Sequence, residues 1–172
     1  MSTAIASPAA ASLGDATRER FALEVAKYPA DQAQSAVMAC LSIVQQEQGW
    51  VSPASEKAVA DYLGMPVMAV HEVTTFYNMY NQKPVGRFKL NVCTNAPCMF
   101  AGGPEALRHL CGKLGVEPYG TTADGQFTVQ PSECLGACGD APVMLVNDRH
   151  MCSFMSNDKL DQLVDGLRQA ED

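Results

Sequence analysis

Two short stretches constrain this chain more than any others: Val92–Gly103, VCTNAPCMFAGG, and Glu133–Met144, ECLGACGDAPVM. The first holds Cys93 and Cys98 as C-x4-C, the second Cys134 and Cys138 as C-x3-C, both in sequence rich in glycine and proline. Thirty-five residues lie between Cys98 and Cys134. For the pairs to act together, the fold must carry two distant loops to one place.

Bulk composition narrows what such a fold could serve. With 47% hydrophobic residues in 172, the chain can bury a core, and 18% charged residues is low for a disordered chain. A formal net charge of -7 argues against nucleic acid as a partner, because phosphate binding needs clustered Lys and Arg. No apolar run reaches ~18 residues, so direct membrane insertion is not expected. The opening MSTAIASPAAASLGD has neither the basic start and apolar core of an export signal nor the arginines of a mitochondrial presequence. Residues 1–14 are expected to be a flexible tail, and the seven cysteines to sit in a reducing compartment, where they more often mean metal or catalysis than disulfides.

Periodicity divides the rest in two. Residues 15–80 read as a bundle of four short helices. The first is capped by Asp15 and aligns Phe21, Val25 and Tyr28. The second carries Ala33, Ala36, Val37, Cys40, Leu41 and Val44 at helical spacing and stops at Gly49. Ser52-Pro53 and Gly64 bracket a third, and Pro66 opens the fourth. Residues 85–172 read as a small α+β sheet domain of order β-α-β-β-β-α. Arg87–Val92 alternates as a half-buried strand ending at Cys93, and Gly103-Pro104 starts a helix closed by Gly115. Asp124-Gly125 signals a hairpin before the strand Phe127–Val129, Val143–Val146 is a buried strand, and Ser156 or Asn157 caps the last helix.

Four thiols on strand-to-loop junctions admit several chemistries. A structural zinc site uses four such ligands. A dithiol oxidoreductase uses C-x-x-C ahead of a helix, which this chain lacks. Inert buried cysteines fit poorly with two close pairs in pliable loops. A [2Fe–2S] cluster held by four thiolates fits best, since its sulfurs accept inward N–H bonds from such loops. Cys40 and Cys111 fall on apolar helix faces and read as core; Cys152 has no pattern partner. His71, His109 and His150 are scattered and read as structural or surface groups, while the acidic residues Asp158, Asp161, Asp165, Glu171 and Asp172 read as a solvated face. TTFYNMY, residues 74–80, reads as an aromatic packing patch.

CTNAPC and ECLGACGDAP, joined through a helix and a D-G hairpin, resemble the thioredoxin-like [2Fe–2S] subunit of NADH dehydrogenases. This is the 24 kDa subunit family of respiratory complex I, bacterial and mitochondrial. YPADQAQSAV, GWVSP and TTFYNMYNQKPVGRF extend the resemblance over nearly the whole chain after the tail. It implies an N-terminal helical bundle followed by a thioredoxin-like [2Fe–2S] ferredoxin domain, with Cys93, Cys98, Cys134 and Cys138 as ligands of one cluster. It further implies an electron-transfer subunit of an NADH:quinone oxidoreductase, with FMN and NADH on a partner subunit and no complete active site in this chain. The place implied is cytoplasmic, peripheral to the inner membrane through other subunits. The equivalent diaphorase subunit of an NAD-dependent formate dehydrogenase or NAD-linked hydrogenase shares the module. A stand-alone zinc-stabilised binding protein is the alternative of another class.

Overall fold

A computed structural model describes residues 13–170. The expected tail at 1–14 therefore lies almost wholly outside the described residues, as do Glu171 and Asp172. The chain forms two compact units, one up to Pro84 and one from Val85.

The first unit is helical. Helix α1 (Asp15–Val25) is capped by Gly14, so Asp15 stands in the first turn, where its charge complements the helix dipole. Tyr28 lies beyond the helix and is exposed. The expected second helix is split. Ala30–Ala36 winds as a 3-10 helix with Gln32 off helical geometry, and α2 (Val37–Gln48) follows. The Ala33–Ala36 spacing of three suits three residues per turn as well as 3.6, so the apolar pattern does not separate the two. Gly49 ends α2 at φ 79° and donates to the Gln45 carbonyl. In α3 (Pro53–Leu63) the Ser52 hydroxyl accepts the Ser55 N–H at 3.1 Å, and α4 (Val67–Phe76) follows Pro66. Phe21, Cys40, Leu41, Val44, Val59 and Val70 form the centre of the core.

Two polar features brace this unit. Tyr80 is buried and donates its hydroxyl to the Met38 carbonyl at 2.8 Å, while Phe76, Tyr77 and Met79 of the same aromatic stretch are exposed. The buried Glu56 carboxylate accepts the Thr74 hydroxyl, and His71 Nδ1 lies 3.0 Å from it.

The second unit is a five-stranded sheet of order β2-β3-β1-β4-β5. Its strands are β1 (Phe88–Cys93), β2 (Gly120–Thr121), β3 (Phe127–Ser132), β4 (Met144–Val146) and β5 (His150–Cys152). Only β1 and β3 pair in parallel; the other neighbours are antiparallel. Leu90, Val92, Phe127 and Val129 pack with Leu110 of α6 (Gly103–Leu114) and with Leu160 and Val164 of α7 (Asn157–Gln169). Between α6 and α7, Asp161 meets His109 at 2.8 Å and Lys113 at 3.2 Å. The His109 hydrogen bond, helped by Lys113, holds its carboxyl below the usual range. Asp161 and Asp165, which also reaches Lys113, thus tie two helices together rather than only facing solvent.

The sheet departs from the sequence reading in two places. Strand β1 alternates like a strand with one face in water, yet it is buried along both faces. Lys89 Nζ pairs with Asp148 at 2.6 Å, and Asn91 Nδ2 donates to the same carboxylate at 2.6 Å. Strand β5 has no counterpart in the sequence reading. Asn147 and Asp148 both adopt positive φ in the three-residue connection between β4 and β5, where the Arg149 N–H donates to the Val146 carbonyl at 3.1 Å.

Thr74→Val keeps the side-chain volume but removes the hydroxyl that bonds the buried Glu56 carboxylate. A loss of about 1.5–3 kcal/mol is expected for a hydrogen bond to a charged group. It should appear as a lower urea midpoint at unchanged slope.

Candidate metal centre

The pairing of β1 with β3 decides where the two cysteine loops begin. Two parallel strands end on the same side of a sheet, and here Cys93, last in β1, stands in register with Ser132, last in β3. Both cysteine loops therefore leave from adjacent points. The Thr94 N–H donates to the Ser132 carbonyl at 3.1 Å, and the Cys93 N–H donates to the Val143 carbonyl at 3.1 Å. Cys93, Cys98 and Val143 form a small buried cluster of their own, flanked by Leu135, Ala137 and Ala141.

The first loop is a short helix, α5 (Ala96–Phe100), rather than irregular chain. Asn95 caps it, accepting the Ala96 N–H at 2.9 Å, and Pro97 stands in its first turn. Asn95 Nδ2 also donates to Glu133 Oε2 at 2.7 Å, so one side chain starts the first loop and grips the second. Cys98 is buried on α5, and α6 begins directly against this turn. A Cβ on Gly103 would stand 2.4 Å from the Cys93 carbonyl oxygen and 2.9 Å from that of Cys98. Only a glycine permits that approach.

The second loop is open. Cys134 and Cys138 are exposed, their sulfurs 3.5 Å apart, and the Gly136 N–H donates to the Cys134 sulfur at 3.4 Å. Gly136 takes φ 78°, which lets its N–H turn toward that sulfur. The far end of the loop is fastened by the segment after β5. Phe154 N–H donates to the Asp140 carbonyl, Met155 N–H to that of Pro142, and the Ser153 hydroxyl to Asp140 Oδ2 at 3.1 Å.

These surroundings differentiate the thiols. The Gly136 N–H, helped by the Cys138 thiol directed at it, lowers the Cys134 pKa. Its partner is raised, first by that hydrogen bond to Cys134. Burial raises Cys98, against the lowering effect of the Val143 N–H, and Cys93 and Cys138 act on it as neighbouring charges. Two thiolates on one tetrahedral metal with bonds of about 2.3 Å stand about 3.8 Å apart. The Cys134–Cys138 spacing is close to this. Among the described residues, no three Cys, His, Asp or Glu side chains close round a point for a single ion. Cys134 and Cys138 stand as one close pair of sulfurs and Cys93 and Cys98 pack together in the other loop, and a [2Fe–2S] cluster divides its four ligands two to each iron. Donor type and pairing thus fit a two-iron cluster.

The remaining candidates lie elsewhere. Cys40 is buried in the first unit, its thiol pushed up to about 12 by burial and then by Glu24. Cys111 and Cys152 are half-buried against the core of the second unit, and burial raises both. The three histidines are on α4, α6 and β5. Asn95 and Ser153, which tie down the loops, are absent from the sequence reading. Asn followed by Ala-Pro is a helix-start signature and points to the first; nothing local points to the second.

The sequence profile of the thioredoxin-like [2Fe-2S] ferredoxin family matches residues 21–168. The chain belongs to this family. Among its relatives is an NADH-quinone oxidoreductase subunit of Rickettsia conorii, 37% identical over 145 residues, covering 84% of this chain and 86% of the relative. An NADH-quinone oxidoreductase subunit of Rhizobium meliloti is 40% identical over 154 residues and 90% of each chain. In fold, the chain resembles part of an NAD+-reducing [NiFe]-hydrogenase in the H2-reduced state, with a TM-score of 0.67 at 21% identity. That likeness covers 79% of this chain and 23% of the hydrogenase chain.

Gly103→Ala should push α6 away from the Cys93–Cys98 turn. Overpacking of this kind costs about 1–3 kcal/mol, and both thiols should alkylate faster. Gly139→Ala, whose Cβ meets nothing within 4 Å, is expected to leave both properties unchanged. Thermal unfolding and timed alkylation with peptide mapping compare the two.

Proposed function

We propose that this protein is the [2Fe–2S] electron-transfer subunit of an NADH:quinone oxidoreductase. One observation carries the reading: two cysteine pairs lie on loops that leave the same end of two parallel strands, in a chain that aligns along most of its length with subunits of NADH-quinone oxidoreductases. Cys93, Cys98, Cys134 and Cys138 would hold the cluster, which supplies a site for one electron at a time. The first pair is buried, and the second faces outward. Gly136 offers its N–H to a ligand sulfur, the kind of bond that raises a cluster's potential. Asp140 and Glu133 set negative charge beside the second pair, and Ser153 and Asn95 donate hydrogen bonds to those carboxylates.

The flavin and NADH would belong to a partner subunit, with other subunits completing the enzyme. The chain contains no G-x-G-x-x-G and no phosphate loop of its own. No helix among the described residues is long and apolar enough to cross a membrane, and in this reading any membrane attachment runs through those other subunits, on the cytoplasmic side. The likeness to the hydrogenase chain is one of fold.

Each of Cys93→Ser, Cys98→Ser, Cys134→Ser and Cys138→Ser is expected to lose or badly weaken the cluster, since serine is a harder, less acidic donor. Cys40→Ser and Cys152→Ser should retain iron and sulfide, and the visible spectrum and the spin signal on reduction report both. A normal cluster in Cys134→Ser with loss in Cys152→Ser would overturn the assignment. The isolated chain should not oxidise NADH, whereas co-expression with the flavin-binding partner should give a complex that reduces artificial acceptors.

Asp140→Asn should raise the midpoint potential by tens of millivolts, because reduction adds negative charge beside a carboxylate. The Ser153 hydroxyl bond softens that effect. Potentiometric titration against wild type measures it, and an unchanged or lower midpoint would exclude Asp140 from tuning.

A further inference from the structure

The geometry points to a thiol–disulfide site in the second cysteine loop. When no cluster is held, Cys134 and Cys138 close into an intramolecular disulfide on meeting a small disulfide, and in that form the loop cannot accept a cluster.

Proximity is the first ground. The two sulfurs stand 3.5 Å apart, and a disulfide needs about 2.0 Å. The loop has room to make up the difference. A Cβ on Gly136 or Gly139 would meet nothing within 4 Å, and only three residues separate the cysteines, so closing the ring costs little chain entropy. Access is the second ground. Of the seven cysteines, only Cys134 and Cys138 are exposed, whereas Cys93 and Cys98 are buried. A dissolved disulfide can reach the second pair and not the first.

The exchange balances without any further reactant. The Cys134 sulfur, toward which the Gly136 N–H points, attacks one sulfur of glutathione disulfide and releases one glutathione thiol. The Cys138 sulfur then attacks the Cys134 sulfur of the mixed disulfide and releases the second. Two protein thiols are oxidised and one small disulfide is reduced. The two thiol protons leave on the glutathione molecules. A sulfur in a disulfide cannot serve as a thiolate ligand, so the exchange withholds two of the four donors until a thiol reverses it. This consequence rests on the ligand assignment above; the exchange itself does not.

The test uses the full chain, stripped of iron by a chelator under reducing conditions and then exposed to glutathione disulfide. Trypsin places each pair on its own peptide, because no Lys or Arg lies between Lys89 and Arg108 or between Lys113 and Arg149. Expected, on alkylation after acid quench and denaturation, is the loss of two alkylatable thiols on the peptide with Cys134 and Cys138, with Cys93 and Cys98 still fully alkylated. Cys134→Ser and Cys138→Ser should each stop at a stable adduct of one glutathione. The oxidised chain should take up no cluster from iron and sulfide until dithiothreitol is added. The proposal is overturned if the wild type stops at the glutathione adduct, if Cys93 or Cys98 oxidises as fast, or if the oxidised chain takes up a cluster as readily as the reduced one. A disulfide that forms as expected in a chain whose reduced form takes up no cluster would support the thiol site and sink the ligand assignment.

Discussion

The parallel pairing of β1 with β3 is the constraint on which the rest of the second unit depends. An antiparallel pair would send the two cysteine loops to opposite ends of the sheet. A parallel pair needs a crossover, and α5 and α6 with β2 supply it between Cys93 and Phe127. The crossover helix α6 also covers the sheet, so the element that makes the pairing topologically possible contributes Leu110 and Leu114 to its core. Its first residue, Gly103, rests on the carbonyls of Cys93 and Cys98. Core packing and the position of the first cysteine pair are therefore mechanically linked.

Around that frame the two pairs are held differently. Cys93 and Cys98 are fixed by burial and by the regular structure of β1 and α5. Cys134 and Cys138 are fixed by a few hydrogen bonds: Asn95 to Glu133 at one end, Ser153 and Phe154 to Asp140 at the other. The side-chain bonds among these are exposed to solvent, so the second loop can open more easily than the first. A centre assembled on this chain would have a rigid inner wall and a yielding outer one. Delivery of a cofactor and exposure to small oxidants both favour the outer side.

Local signals are legible where one interaction within a few residues decides the outcome. Ser52-Pro53 caps α3, Gly49 and Gly64 end helices in left-handed geometry, and Asp124-Gly125 turns a hairpin. The misses are positions where a local pattern suits two structures. Ala33 and Ala36 match a 3-10 turn as well as an α-helix. Lys89 and Asn91 look like a solvated strand face until Asp148, more than fifty residues on, closes over them. The Asn147-Asp148 pair carries a hairpin signal, but the three residues of β5 are too short to show a strand pattern.

What the sequence determined by itself is chemistry and local form. Four thiols in two loops with glycine and proline specify soft ligands on pliable backbone, and the helix caps and stops follow from side chains next to one another in the chain. What only the tertiary structure decided is which distant groups meet. Strand order, the parallel register of Cys93 with Ser132, and the grip of Asn95 on Glu133 and of Ser153 on Asp140 depend on contacts between segments far apart in sequence. No residue pattern carries that information, because the same alternation of apolar residues serves a strand in any position and in either direction of a sheet. The difference between the buried and the exposed cysteine pair arises at that level too, from where Val143 packs against Cys93 and Cys98 and leaves the other pair facing out.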